Sequence, residues 1–191
     1  VQTCALPIWC GWIEVYNQHT DKSFKEYIDS IIHAKMLEVC STSLPQRAIP
    51  RIMGDERYEA HLEGRRKVFE ERTNEAVEIF RKVEGISVMR PQGAFYMSIV
   101  FNPGVLNHNQ ELKIDDKNVK RFMEPLLPGL ELDKRFAYYL LASRGICVVP
   151  LTGFCCEKHG FRITTLECDD RKRVDTWHSI ADAIGEYTSS Q

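Results

Sequence analysis

Apolar positions along this chain switch between two periods, and each run predicts one element. Trp12-Ile-Glu-Val-Tyr16 is β-branched and aromatic and predicts a short strand. Phe24, Tyr27, Ile28, Ile31 and Ile32 then recur at near-helical spacing, with Ser23 placed to cap the helix. Cys40-Ser-Thr-Ser-Leu-Pro45-Gln46 is polar, short-chained and stopped by proline, and reads as a loop or bent connection. The longest helical pattern runs from about Asp55 to Val83, its apolar stripe made by Tyr58, Leu62, Phe69, Val77, Phe80 and Val83. Gly64 weakens its middle by about 1 kcal/mol relative to alanine, and Gly85 ends it.

Beyond Gly85 the period shortens. Ile86–Arg90 and Ala94–Val100 predict two strands around the turn-like Pro91-Gln92-Gly93. Residues 102–129 are rich in Asn, Pro, Gly and charge, which leaves a surface excursion and a mobile lid both open. Asp133 is placed to cap a helix through Tyr139 and Leu140, closed by Gly145. A buried strand over Ile146–Val149 follows and stops at Pro150. After a glycine-containing loop, a second apolar strand carries Arg162 between Phe161 and Ile163. Asp169 or Asp170 starts a last amphipathic helix with Val174, Trp177, Ile180, Ala181, Ile184 and Tyr187. The order helix, hairpin, helix, strand, strand, helix predicts an α+β lobe over residues 85–191.

Composition narrows this picture. With 191 residues, 43% hydrophobic and 27% charged, the chain has the make-up of an ordinary globular protein. A formal net charge of −2 argues against a general nucleic-acid surface. No apolar run approaches the roughly 18–20 residues that span a bilayer. Seven cysteines without a repeating frame favour reduced thiols and a cytoplasmic location. Val1–Ile8 has no initiator methionine, basic segment or small-residue cleavage site, and reads as a foreign leading segment rather than a signal peptide.

Arg162 is the main candidate for chemistry. A guanidinium between two apolar strand residues is expensive to bury unless it meets an anion. That anion is either the partner in a structural salt bridge or a substrate carboxylate held bidentately, and spacing alone leaves both open. Cys155, Cys156, His159 and Cys168 invite a zinc reading, but adjacent cysteines cannot easily supply separated tetrahedral ligands, so buried thiols are expected and no metal site. Neither a P-loop nor a dinucleotide fingerprint is present. Arg65-Arg66-Lys67 and Arg171-Lys172-Arg173 read as solvated helix faces.

Taken together, Gly145-Ile-Cys-Val-Val-Pro150 and Gly160-Phe-Arg162-Ile-Thr164 resemble the C-terminal domain of class I/II aminotransferases, pyridoxal-phosphate enzymes of fold type I. Pro91-Gln-Gly93-Ala-Phe-Tyr96 is similar to that family's Pro-x-Gly-Ala-Phe-Tyr element. Gly11-Trp12-Ile13 resembles the strand after its phosphate-binding arginine, and Ser23–Gln46 the helix and loop near its dimer interface and active-site mouth. The resemblance covers Trp9 to the end. It implies an α/β fold in which 1–8 is a non-native leader, 9–50 a remnant of the large cofactor-binding domain, 51–84 a long connecting helix and 85–191 the small α+β domain. It further implies pyridoxal phosphate as cofactor, amino-acid and 2-oxo-acid substrates, a homodimer, and Arg162 gripping the substrate α-carboxylate.

The departures are specific. The family's Schiff-base lysine would fall at Val1 and its phosphate-binding arginine at Trp9, while Lys22, Lys25 and Lys35 lack the lysine's motif. No catalytic or cofactor-binding residue is therefore assigned in this chain, which is expected to be inactive alone. Lys35–Val39 carries no arginine where dicarboxylate-selective relatives place one, which favours alanine-like or other neutral substrates. Two alternatives stay open: a non-catalytic interaction module derived from the small domain, and another fold type I enzyme such as a decarboxylase, lyase or acyl transferase. Exposed apolar surface is expected around Trp9–Tyr16 and Phe24–Ile32.

Overall fold

The computed structural model describes residues 13–37 and 43–190. The chain divides into two compact units, Val1–Glu63 and Gly64–Gln191. In the first, Ile13–Tyr16 pairs with no strand among the described residues, and a β-branched run becomes a strand only where a neighbour supplies the ladder. Trp9, Gly11 and Trp12 lie outside the described residues. Helix α1 spans Lys22–Met36 and is capped by Asp21, not Ser23: the Asp21 carboxylate accepts from the Phe24 N–H at 2.6 Å. Ile28 is buried, whereas Ile13, Tyr16, Phe24, Tyr27 and Ile32 are exposed. Helix α2 spans Ser43–Met53, so Ser43–Gln46 is helical where a loop was expected. Pro45 sits in its first turn, where a missing N–H costs nothing. Of that loop, Cys40 to Thr42 lie outside the described residues.

Helix α3 spans Tyr58–Phe80, within the predicted helical stretch. The second unit then builds a four-stranded sheet in the order β1-β2-β4-β3 from β1 (Ile86–Val88), β2 (Tyr96–Phe101), β3 (Val149–Pro150) and β4 (Gly160–Thr164). All three pairings are antiparallel, the arrangement of an α+β lobe. β3 is shorter than predicted: among the described residues Ile146–Val148 pairs with nothing, and the strand does end at Pro150, which is itself paired opposite Phe161. Proline is tolerated there because β3 is an edge.

Strand alternation divides the sheet into two faces. Met97, Ile99, Phe101, Phe161 and Ile163 point into a core shared with Ala76, Val77 and Phe80 of α3. That core also takes in Phe136, Tyr139 and Leu140 of α5 (Leu132–Arg144) and Trp177, Ile184 and Tyr187 of α6 (Asp170–Ser189). Phe136 anchors it, its ring centroid 5.2–5.4 Å from those of Phe101, Phe161 and Tyr187. The opposite face carries Ser87, Ser98, Val149 and Thr164, all exposed, with Tyr96, Val100 and Arg162 half-buried.

Residues 102–129 form a tethered excursion, not a lid. They include α4 (Lys117–Met123) and a 3-10 turn over Glu124–Leu126, and they bury Leu106, Gln110, Leu112, Met123 and Leu127. Arg135 of α5 donates to the His108 carbonyl at 2.9 Å and the Leu127 carbonyl at 3.4 Å. Gln110 donates to the carbonyls of Val105 and Thr188 at 2.8 and 3.3 Å. Freeing the segment would leave these buried groups unsatisfied.

The helix ends hold one correction. Gly145 ends α5 in the left-handed region at φ 68°, and Asp169 caps α6, both as predicted. Asp133, however, does not cap α5; the cap position is Glu131, and Asp133 turns inward. Among the described residues no helix is long and apolar enough to cross a membrane.

Among the described residues the buried Tyr187 hydroxyl makes no well-formed hydrogen bond, and burial pushes its pKa up to about 12 against a lowering by the nearby Arg135 guanidinium. In the unfolded chain it titrates near 10. The folded state therefore keeps its proton longer, and stability is full below about pH 10 and lost as pH rises toward 12. Urea unfolding across pH 9–12 should show the unsubstituted chain losing about 2 kcal/mol more than Tyr187→Phe.

Candidate functional site

β4 places Arg162 at the centre of the open face, between Ser98 of β2 and Val149 of β3. The buried neighbours Phe161 and Ile163 force this outward direction, since successive strand residues alternate faces. The guanidinium carbon lies 4.3 Å from the ring centroid of Tyr96 and 4.3 Å from that of Phe154. Tyr96 comes from β2, one diagonal step along the ladder, and Phe154 from the 3-10 turn Leu151–Phe154 that follows β3. β2 and β3 are the two neighbours of β4 in the sheet, so one ring comes from one neighbouring strand and the other from the turn that follows the other neighbour. Each ring contact contributes about 1 kcal/mol.

Among the described residues no carboxylate or other acceptor meets this guanidinium, so the structural salt bridge has no partner. Its N–H fork is left for an external anion. An aromatic series extends from the site: Tyr96 packs on Phe95 at 4.5 Å, Phe95 on Phe69 at 5.9 Å, and Arg65 lies 4.6 Å from the Phe69 centroid. Arg65 is thus a half-buried ring partner, not part of a solvated face. Arg173 departs from that expectation further. It is 5% exposed and donates to Glu75, Asp170 and the Glu167 carbonyl.

β4 is secured at both ends. At its far end Arg72 donates to the Thr165 carbonyl at 3.1 Å, and the Thr165 N–H donates to the Phe95 carbonyl at 2.9 Å. At its near end stands the residue that sequence reasoning misassigned. The fully buried Asp133 carboxylate accepts from the Thr152 N–H at 3.0 Å, the Thr152 hydroxyl at 2.7 Å and the Gly160 N–H at 3.4 Å, with His159 Nδ1 at 3.8 Å. These bonds close the loop that carries Phe154. Gly160 cannot be replaced: a Cβ there would lie 2.3 Å from the Ile99 carbonyl oxygen and 2.8 Å from Leu151 Cδ1. An acidic residue at the second position of a helix gives no sequence signal that it turns inward.

The remaining candidates stay apart from Arg162's chemistry. Cys147, Cys155 and Cys168 are exposed and Cys156 is half-buried, against the expectation of buried thiols. The backbone passes through the left-handed region at Cys155, φ 57°, in a surface loop that has no core to offer. Lys22 and Lys25 pair along α1 with Glu26 and Asp29. Val1, Trp9, Glu38 and Val39 lie outside the described residues. Among the described residues, no strand position on the open face around Arg162 is a lysine.

A family model for aminotransferase class I and II matches residues 10–174. An uncharacterized aminotransferase of Methanocaldococcus jannaschii is 49% identical over 178 residues, covering 93% of this chain and 41% of the relative. An inactive alanine aminotransferase of Saccharomyces cerevisiae is 29% identical over 164 residues, covering 80% of this chain and 29% of the relative. The chain therefore spans less than half the length of these curated relatives. Among solved structures, an aminotransferase from Escherichia coli matches 91% of this chain and 36% of its own, with a TM-score of 0.57 and 21% identity. The aspartate aminotransferase of Rhizobium meliloti matches 87% of this chain and 36% of its own, with a TM-score of 0.56 and 19% identity. At that identity the two structures share the fold.

If the fork serves an external anion, removing it should barely destabilise the fold. Arg162→Met keeps an apolar stem between the rings and should change the unfolding free energy, read by urea titration, by no more than about 1 kcal/mol. Breaking a buried ion pair would instead cost about 3–5 kcal/mol.

Proposed function

The chain belongs to the class I and II aminotransferase family, and we propose that it is the C-terminal part of a pyridoxal-phosphate-dependent aminotransferase in which Arg162 binds the α-carboxylate of amino-acid and 2-oxo-acid substrates. The observation that carries this is the guanidinium that meets no acceptor among the described residues and lies against two rings on an open sheet face. A fork anchored on a strand holds a carboxylate at two points and so fixes its plane and direction, which, once the amino group is held elsewhere, limits how the Cα–H bond is presented. Lysine in its place would keep the charge and lose the two-point grip.

Pyridoxal phosphate supplies the electron sink for bond breaking at Cα in this family. The described residues do not fit its anchoring site, because the face around Arg162 offers Ser87, Tyr96, Ser98, Val100, Val149 and Thr164 but no amine. No step through the cofactor is assigned to them. In this proposal residues 9–50 are a remnant of the large domain, 51–84 the connecting helix and 85–191 the small domain. The intact protein acts as a cytoplasmic homodimer on alanine-like or other neutral substrates. A second reading, a non-catalytic module built on the small domain, is favoured by the same lack of an amine and by the relative named inactive.

In the longer protein, Arg162→Lys should weaken amino-acid binding about 10- to 100-fold in single-turnover measurements. An unchanged dissociation constant would remove Arg162 from substrate binding. The 191-residue chain by itself should show no transamination when amino acid, 2-oxo acid and pyridoxal phosphate are supplied together.

A further inference from the structure

We propose that Tyr96 and Phe154 act as specificity-determining and positioning residues for Arg162, admitting planar carboxylates and disfavouring tetrahedral oxyanions such as sulfonates. The proposal rests on the reading of Arg162 as a carboxylate site and adds to it what selects the anion. With two rings each 4.3 Å from its carbon, the guanidinium keeps its N–H edge for an anion. A carboxylate meets that edge with both oxygens and has nothing left to accommodate. A sulfonate presenting two oxygens in the same way must project its third out of that approach plane. There it meets an aromatic face, which carries negative potential and offers no donor.

The two rings are held differently. Tyr96 belongs to the central strand β2, so its replacement disturbs the sheet. Phe154 is 47% exposed, lies outside the core cluster, and stands at the tip of the turn that Asp133 fastens through Thr152. Its ring can be removed while the strand ladder, the Asp133 bonds and the helical core remain. Phe154 therefore separates anion selection from folding, and its ring lies as near to Arg162 as that of Tyr96, at 4.3 Å.

The test uses the 191-residue chain with 15N-labelled arginine. The Arg162 Nε–H signal, assigned by its loss in Arg162→Met, is followed during titration with acetate or methanesulfonate, two monoanions compared at constant ionic strength. The expected result is tighter acetate binding in the unsubstituted chain. The acetate-over-methanesulfonate preference should fall about fivefold in Phe154→Ala and in Phe154→Leu, which keeps apolar bulk without a π face. The Arg162 signal should also move downfield in both variants as one ring current is lost. If acetate binds equally well through Arg162 in all chains and the preference is unchanged, ring selection is overturned while the carboxylate site stands. If acetate leaves the Arg162 signal unmoved in the unsubstituted chain, the carboxylate site itself is overturned.

Discussion

The carboxylate of Asp133 sits fully buried beneath the sheet edge, and the geometry of the open face follows from how it is satisfied. A charge taken out of water is costly unless several donors meet it, and here two backbone N–H groups and one hydroxyl converge. Those donors belong to Thr152 and Gly160, the two ends of a loop that would otherwise be free to wander over the edge strand. Closing it sets where the Leu151–Phe154 turn stands and where β4 begins. Gly160 completes the arrangement by letting the backbone of β4 approach Ile99 more closely than any side chain permits. Arg162 is two residues further on, so its position is inherited from a group it never touches.

The second determinant is the alternation of the strands. β2 and β4 commit one face to Met97, Ile99, Phe101, Phe161 and Ile163, and helices α3, α5 and α6 contribute to the same core. Everything at the intervening positions is left on the other side. A cation there can be stabilised by ring faces without being neutralised, because cation–π attraction leaves the in-plane donors unused. A carboxylate partner within the protein would have consumed them. Stacking thus explains how a half-buried arginine is tolerated while its hydrogen-bonding capacity is retained.

Much of this was legible from residue order. Most of the helical stripe predicted to Val83, which ends at Phe80, the hairpin around Pro91-Gln92-Gly93, the stop at Gly145 and the cap at Asp169 depend on local periodicity and capping, and the structure has each of them. What was not legible depends on tertiary partners. Asp133 looks like a cap because acids gather at helix starts, and only the folded loop shows that its donors come from residues 152 and 160. Ile146–Val148 has strand composition but no neighbour to pair with. Ser43–Gln46 looks like a stop because of Pro45, although a proline in a first turn begins a helix as readily as it ends one. Arg65 and Arg173 fall within basic runs that suggest solvent, yet one lies over a ring and the other is buried among acceptors.

The tether on residues 102–129 has a consequence for how this region can vary. Arg135 and Gln110 hold it through main-chain carbonyls, those of His108, Leu127, Val105 and Thr188. Every residue type presents the same carbonyl, so the anchorage is indifferent to side-chain identity at the positions it grips. Substitution at the exposed His108 should leave this anchorage intact, while Leu127 also buries its side chain in the core, and an insertion or deletion between them would change the spacing of two carbonyls gripped by one guanidinium. The excursion is constrained in length and path, and in composition only where its side chains turn into the core.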